Sequence, residues 1–139
     1  MKELLLWVWQ LPQNLIGFIW TRFTKKETTW FLKGKKVRVC YAPCFKSGVS
    51  LGKYIILDPV YKRISSGKQL TIVQHEHGHQ KQSEYFGWFY LLLVALPSVC
   101  NNIWDRLFHK KWTSEEREKW YYSRYPEKWA DRLGGVTKR

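Results

Sequence analysis

Residues 74–82, QHEHGHQKQ, hold three of the four histidines in the chain, with a glutamate between the first two. His75, Glu76 and His79 fit H-E-x-x-H. On a helix, His75 and His79 lie one turn apart on the same face, so two imidazoles reach a single metal ion. Zinc accepts such nitrogen ligands without regard to redox state. Glu76 projects along the same edge, placed to take the proton of a water whose pKa the metal has lowered, as that water attacks a carbonyl. His77, at i+2, sits on another face and reads as a surface or packing histidine.

Two ligands do not complete such a site, because a catalytic zinc takes a third from the protein and keeps the fourth position open. The candidates are His109, the three aspartates and the remaining glutamates. One stretch stands out: Glu127-Lys128-Trp129-Ala130-Asp131 puts two carboxylates on one helical face, and the nearby Ala130 and Gly134 permit close helix approach. Glu127 is then placed to ligate the metal, while Asp131 accepts the free N–H of a ligand histidine, fixing its tautomer and raising its basicity. Taken alone, the same two carboxylates read as an ordinary surface pair.

With these residues in place, H-E-x-G-H followed by E-x-x-A-D resembles the gluzincin metallopeptidases. It is nearest in style to the membrane-embedded zinc peptidases of the CAAX-processing and heat-shock type. HEHGHQKQS (75–83) and EKWADRLGG (127–135) also resemble small bacterial proteins carrying HExGHxxQS and EKWADxLGG. The resemblance covers about twenty residues in two blocks. It implies Zn2+ held by His75, His79 and Glu127, with Glu76 as catalytic base, Asp131 as orienter, and a peptide or protein as substrate. Tyr121, Tyr122, Tyr125 and His109 are the candidates for steadying an oxyanion. In such folds the strand before the active-site helix is often a sheet edge that pairs with an extended substrate. KYIIL (53–57) is either that edge or an inner strand.

The elements around the motif are expected to form one α+β domain over residues 1–139: a small antiparallel sheet, a zincin-like active-site helix, further packed helices and two apolar helical segments. KKVRVCYAP alternates, with Val37, Val39 and Tyr41 on one side and Lys36, Arg38 and Cys40 on the other. Gly48 and Gly52 then punctuate the chain before KYIILDP, so two or three strands are predicted. Ser65-Ser66-Gly67 marks a turn, and the histidine helix is expected over about 68–85. Thr113 and Glu116 have capping-box spacing. Pro126 suits the first turn of a last helix that Gly134 closes.

The first apolar segment, within residues 1–23, is read as a helix broken near Pro12 that packs on the core or lies in a membrane interface, with Arg22, Lys25 and Lys26 beside phosphates. The second, 85–104, is interrupted by Pro97, Ser98, Asn101 and Asn102 and reads as a buried or membrane-dipping helix. Neither looks like a simple span, and no clear signal peptide precedes them, so a cytoplasmic or peripherally membrane-associated protein is expected.

The formal charge of +13 favours an anionic neighbour, such as a membrane surface. No nucleic-acid motif or dense basic helix is present, so no specific nucleic acid is expected. Cys40, Cys44 and Cys100 are an odd number without framework spacing and read as buried free thiols. A deformylase-like site, in which a cysteine supplies the third ligand, lacks its accompanying glycine-rich and EGCLS segments. Two readings without catalysis stand beside the hydrolase: a basic protein binding a membrane surface or nucleic acid, and a zinc site serving structure or interaction only.

Overall fold

The computed structural model describes residues 1–22, 24, 27–32, 34–44 and 47–137. Lys25 and Lys26, expected beside phosphates, lie outside them. The chain begins with helices α1 (Lys2–Trp9) and α2 (Leu11–Arg22). Four strands follow: β1 (Glu27–Leu32), β2 (Lys35–Tyr41), β3 (Gly48–Leu51) and β4 (Tyr54–Leu57). The long helix α3 (Ser66–Phe86) carries the histidines. A 3₁₀ turn (Gly87–Phe89) and a π turn (Leu91–Ala95) lead into α4 (Leu96–Phe108), and α5 (Ser114–Tyr122) and α6 (Glu127–Gly134) end the fold.

The protein is α+β as expected, but its sheet is mixed. The strand order is β1-β2-β4-β3; β2 runs parallel to β4, and the other two pairings are antiparallel. The chain leaves β2, crosses to the far edge, and returns through the Gly52 turn (φ 60°) to insert β4 in the middle. This decides the place of KYIIL: it is an inner strand. Ile55, Ile56 and Leu57 are buried on both faces, which is why the segment reads as a continuous apolar run. The cavity-side edge is β3. β1 was not foreseen, since only Leu32 of this edge strand is buried and its alternation is weak.

Alternate side chains of the sheet feed two cores. Val37, Val39, Ile55 and Leu57 pack with Val73 of α3 on one face. Ile56 and Leu51 pack with Trp20 of α2 and Leu91 on the other. The break in the first segment falls at Gln10, and Pro12 sits inside the first turn of α2, where its missing N–H costs nothing.

α6 docks on α3 through glycines. A β-carbon at Gly78 would meet the Ala130 backbone, and one at Gly134 would meet the backbone of Gln74. Gly134 thus permits contact, whereas the left-handed Gly135 (φ 78°) ends the helix. The capping box at Thr113 and Glu116 has both of its hydrogen bonds. Cys40 and Cys44 are buried, but Cys100 is exposed, because α4 turns that face outward.

Candidate metal centre

The side of α3 turned toward the rest of the protein is largely polar: His75, Glu76, His79, Gln82 and Ser83 are all buried there beside Val73 and Gly78. Such burial requires partners for each group. α6 supplies the decisive one. Glu127 is wholly buried, and its Oε2 lies 2.9 Å from His75 Nε2 and 3.1 Å from His79 Nε2. The two Nε2 atoms are 3.2 Å apart. Glu127, 48 residues beyond His79, therefore closes a triangle with both histidines.

The far side of each imidazole is engaged as well. His75 Nδ1 is 2.7 Å from Asp131 Oδ1, and His79 Nδ1 is 2.6 Å from Gln82 Oε1. The Gln82 amide donates from Nε2 to the Pro126 carbonyl, which fixes which end of the amide faces the histidine. Both oxygens accept, so each Nδ1 carries the hydrogen and donates. In the neutral rings each Nε2 then presents a lone pair to the other and to a carboxylate oxygen. Tyr121 donates from its hydroxyl to Glu127 Oε1, directing Oε2 to the same point.

Three electron-rich atoms about 3 Å apart repel one another unless a cation sits among them. Ligands that share a small ion through bonds of about 2 Å are separated by roughly 3.3 Å in tetrahedral coordination, and the observed spacings match that. His75, His79 and Glu127 thus form a buried group suited to hold a metal ion. Without one, protons take its place. Burial depresses the His75 imidazole, but its hydrogen bonds to Asp131 and Glu127 outweigh this and raise its pKa from 6.5 to about 9. Burial would raise the Glu127 carboxyl, yet the two histidines hold it well below its usual range.

A cavity of about 820 Å³ opens over the triangle and is lined by His75, Glu76, His79, Glu127, Tyr121 and Tyr122. Its size is in the range of small-ligand clefts. Glu76 is buried beside β3. A β-carbon at Gly48 would collide with its carboxylate, so the missing side chain at the strand's start makes room for the acid. Tyr122 meets the His75 ring edge-on at 5.2 Å, and burial pushes the Tyr121 hydroxyl far above its ordinary pKa.

The structure thus gathers His75, Glu76, His79, Glu127 and Asp131, all singled out by sequence. It separates others from them. His77 turns to Gln80. His109 bonds Asp105 and stacks on Trp112, 3.8 Å between ring centres, and takes no place in the triangle. Tyr125 donates to the Leu93 carbonyl on the outside. Cys44 lines the cavity, but its thiol, pushed up to about 12 by burial, bonds the Ser47 carbonyl and is not among the three ligands. Sequence reasoning missed Gln82 and the role of Gly48. Gln82 had a signal: it stands three residues after His79, on the same helical face.

Compared with protein-family models, with curated proteins and with solved structures, the chain matches none.

Proposed function

We propose that this protein is a zinc-dependent, gluzincin-like hydrolase that cleaves a peptide or amide bond. One observation carries the reading. Two imidazoles with inward lone pairs and one carboxylate converge on a point beside a separate buried glutamate, at the floor of a cavity. Two nitrogens and one oxygen at these spacings suit zinc, and three protein ligands are the number found at catalytic rather than closed structural sites. A zinc ion held there supplies Lewis acidity, easing the deprotonation of water and polarising a carbonyl.

The protein's own groups divide the remaining work. Glu76 lies beside the ligand set without belonging to it and takes the proton from the attacking water. The same carboxyl then returns that proton to the leaving nitrogen. Asp131 and Gln82 keep both Nδ1 hydrogens turned outward, so neither imidazole rotates away from the centre. Tyr122, on the cavity wall with its ring edge-on to His75, is the candidate to steady developing negative charge. β3 lines the same cavity at the edge of the sheet, where an extended peptide would add as a further strand.

The test is metal content and turnover measured together. Purified protein is expected to carry one zinc per chain and to cleave members of a mixed peptide library. Glu76→Gln should keep the zinc and lose about 10²–10⁴-fold in kcat. Stoichiometric zinc without turnover of any peptide by the intact chain would overturn the hydrolase reading and leave the metal site standing.

A further inference from the structure

A helix at the surface of a water-soluble protein turns its apolar stripe to the core and its polar side to solvent. Two segments of this chain do the reverse. α2 buries Gln13, Asn14 and Gly17 and exposes Leu15, Phe18 and Ile19. α4 buries only Asp105, while Leu96, Val99, Ile103, Trp104, Leu107 and Phe108, at helical spacing, are half or more exposed. Trp88, Phe89 and Leu92 extend that outward face.

The N-terminal helices meet the chain just ahead of α4, and Ile16 of α2 lines the same cavity as Val99 and Ile103 of α4. The Trp9 indole donates to the Glu84 carbonyl and the Trp88 indole to the Val8 carbonyl, both at 3.0 Å, and Gln13 bonds the Gly87 carbonyl. These bonds also give the Trp9 and Trp88 indole N–H groups partners within the protein, as a hydrocarbon surrounding demands. Thr21 does likewise, donating to the Gly17 carbonyl, and Asn101 donates to that of Tyr125.

From this inversion we infer that the outward face of α2 and α4 docks on an anionic lipid bilayer, lying in its interface. No described helix is long and apolar enough to cross a membrane. The choice of lipid over a second copy of the chain rests on charge. Exposed Lys2 and Arg22 bracket the first apolar segment, and Arg106, Lys110 and Lys111 cluster at the end of the second. A partner copy would bring another +13 against these cations, whereas acidic headgroups neutralise them. Exposed indoles at Trp9, Trp88 and Trp104 suit the headgroup boundary.

Docking also sets where the cavity opens. Ile16, Val99 and Ile103 both line it and are 43%, 53% and 50% exposed, so they form an apolar stretch of its rim beside exposed Arg106, Ser114 and Glu118. That apolar stretch faces the bilayer, and a substrate enters from the membrane side; this last clause alone rests on the hydrolase reading.

The full chain, synthesised cell-free beside phosphatidylcholine vesicles with or without phosphatidylglycerol, is floated on a density gradient. Flotation with the anionic vesicles is expected, and Phe18→Glu with Phe108→Glu should lower the bound fraction about ten-fold or more. Both sites are exposed, and retained metal content of the double variant reports that its fold is intact. Failure of the wild type to float, equal flotation with neutral vesicles, undiminished binding of a metal-loaded variant, or a vesicle-free dimer burying these residues would each overturn the proposal. None of these outcomes depends on whether any peptide is cleaved.

Discussion

Tyr121, His75 and His79 all address the Glu127 carboxylate, a wholly buried charge that none of them could leave without cost. Removing it strands two inward-facing rings. Glu127→Ala is expected to abolish metal binding and, in the metal-free protein, to lower stability by about 3–5 kcal/mol in urea unfolding, because a buried partner is lost. Gln82→Ala acts one bond further out. It frees the His79 ring to turn, and metal affinity measured by competition with a chelating dye should fall about 10–100-fold. The pH dependence of the metal-free protein follows from the same groups. His75 has a raised pKa, so its contribution is complete below 6.5 and is lost as pH rises through about 9. Glu127 has a lowered pKa, so its contribution is complete above 4.5 and is lost only as pH falls well below that. The urea midpoint of metal-free wild type, relative to metal-free His75→Gln, should therefore be greatest between pH 4.5 and 6.5 and should decline toward pH 9.

The triangle exists only because α6 lies against α3 closely enough for a glutamate to reach both histidines. Gly78 and Gly134 set that distance, each facing backbone of the opposing helix. Gly78→Ala must push α6 outward, since a backbone cannot yield as a flexible side chain would. The expected cost is about 1–3 kcal/mol of stability, with a loss of metal affinity measurable by the same dye competition although no ligand has changed. β3 makes a similar contribution from the other side, where Gly48 leaves room for the Glu76 carboxylate. The helix pairing was legible in part, because Ala130 and Gly134 stood where they permit close approach, whereas the role of Gly78 emerged only from the packing. The strand pairing was not. Insertion of β4 between β2 and β3 depends on a crossover that neighbouring residues do not encode.

At the scale of the whole molecule, the His75–His79–Glu127 group ties together the two ends of the polar core. α3 is anchored to the N-terminal helices by Ser83, which donates to Gln10 and accepts from Gln13, and to the C-terminal helix through Glu127 and Asp131. A bound metal should therefore stabilise the whole fold. At a free metal concentration a thousandfold above Kd the gain is about 4 kcal/mol, and a chelator should remove it as a fall in Tm. The Glu127→Ala variant, unable to hold the ion, should melt at the same temperature with and without chelator.

Residue types at helical spacing carried the local chemistry: H-E-x-x-H and E-x-x-x-D each place two groups on one face because the α-helix repeats every 3.6 residues. The capping box, the buried strand and the two apolar segments are local patterns of the same kind. That the second face meets the first, that β3 rather than KYIIL forms the edge, and that α2 and α4 turn their apolar sides outward were decided by tertiary packing. Periodicity defines a stripe along a helix, but which neighbour that stripe faces depends on contacts between residues far apart in the chain. The separation of 48 positions from His79 to Glu127 is the span over which no local rule reaches.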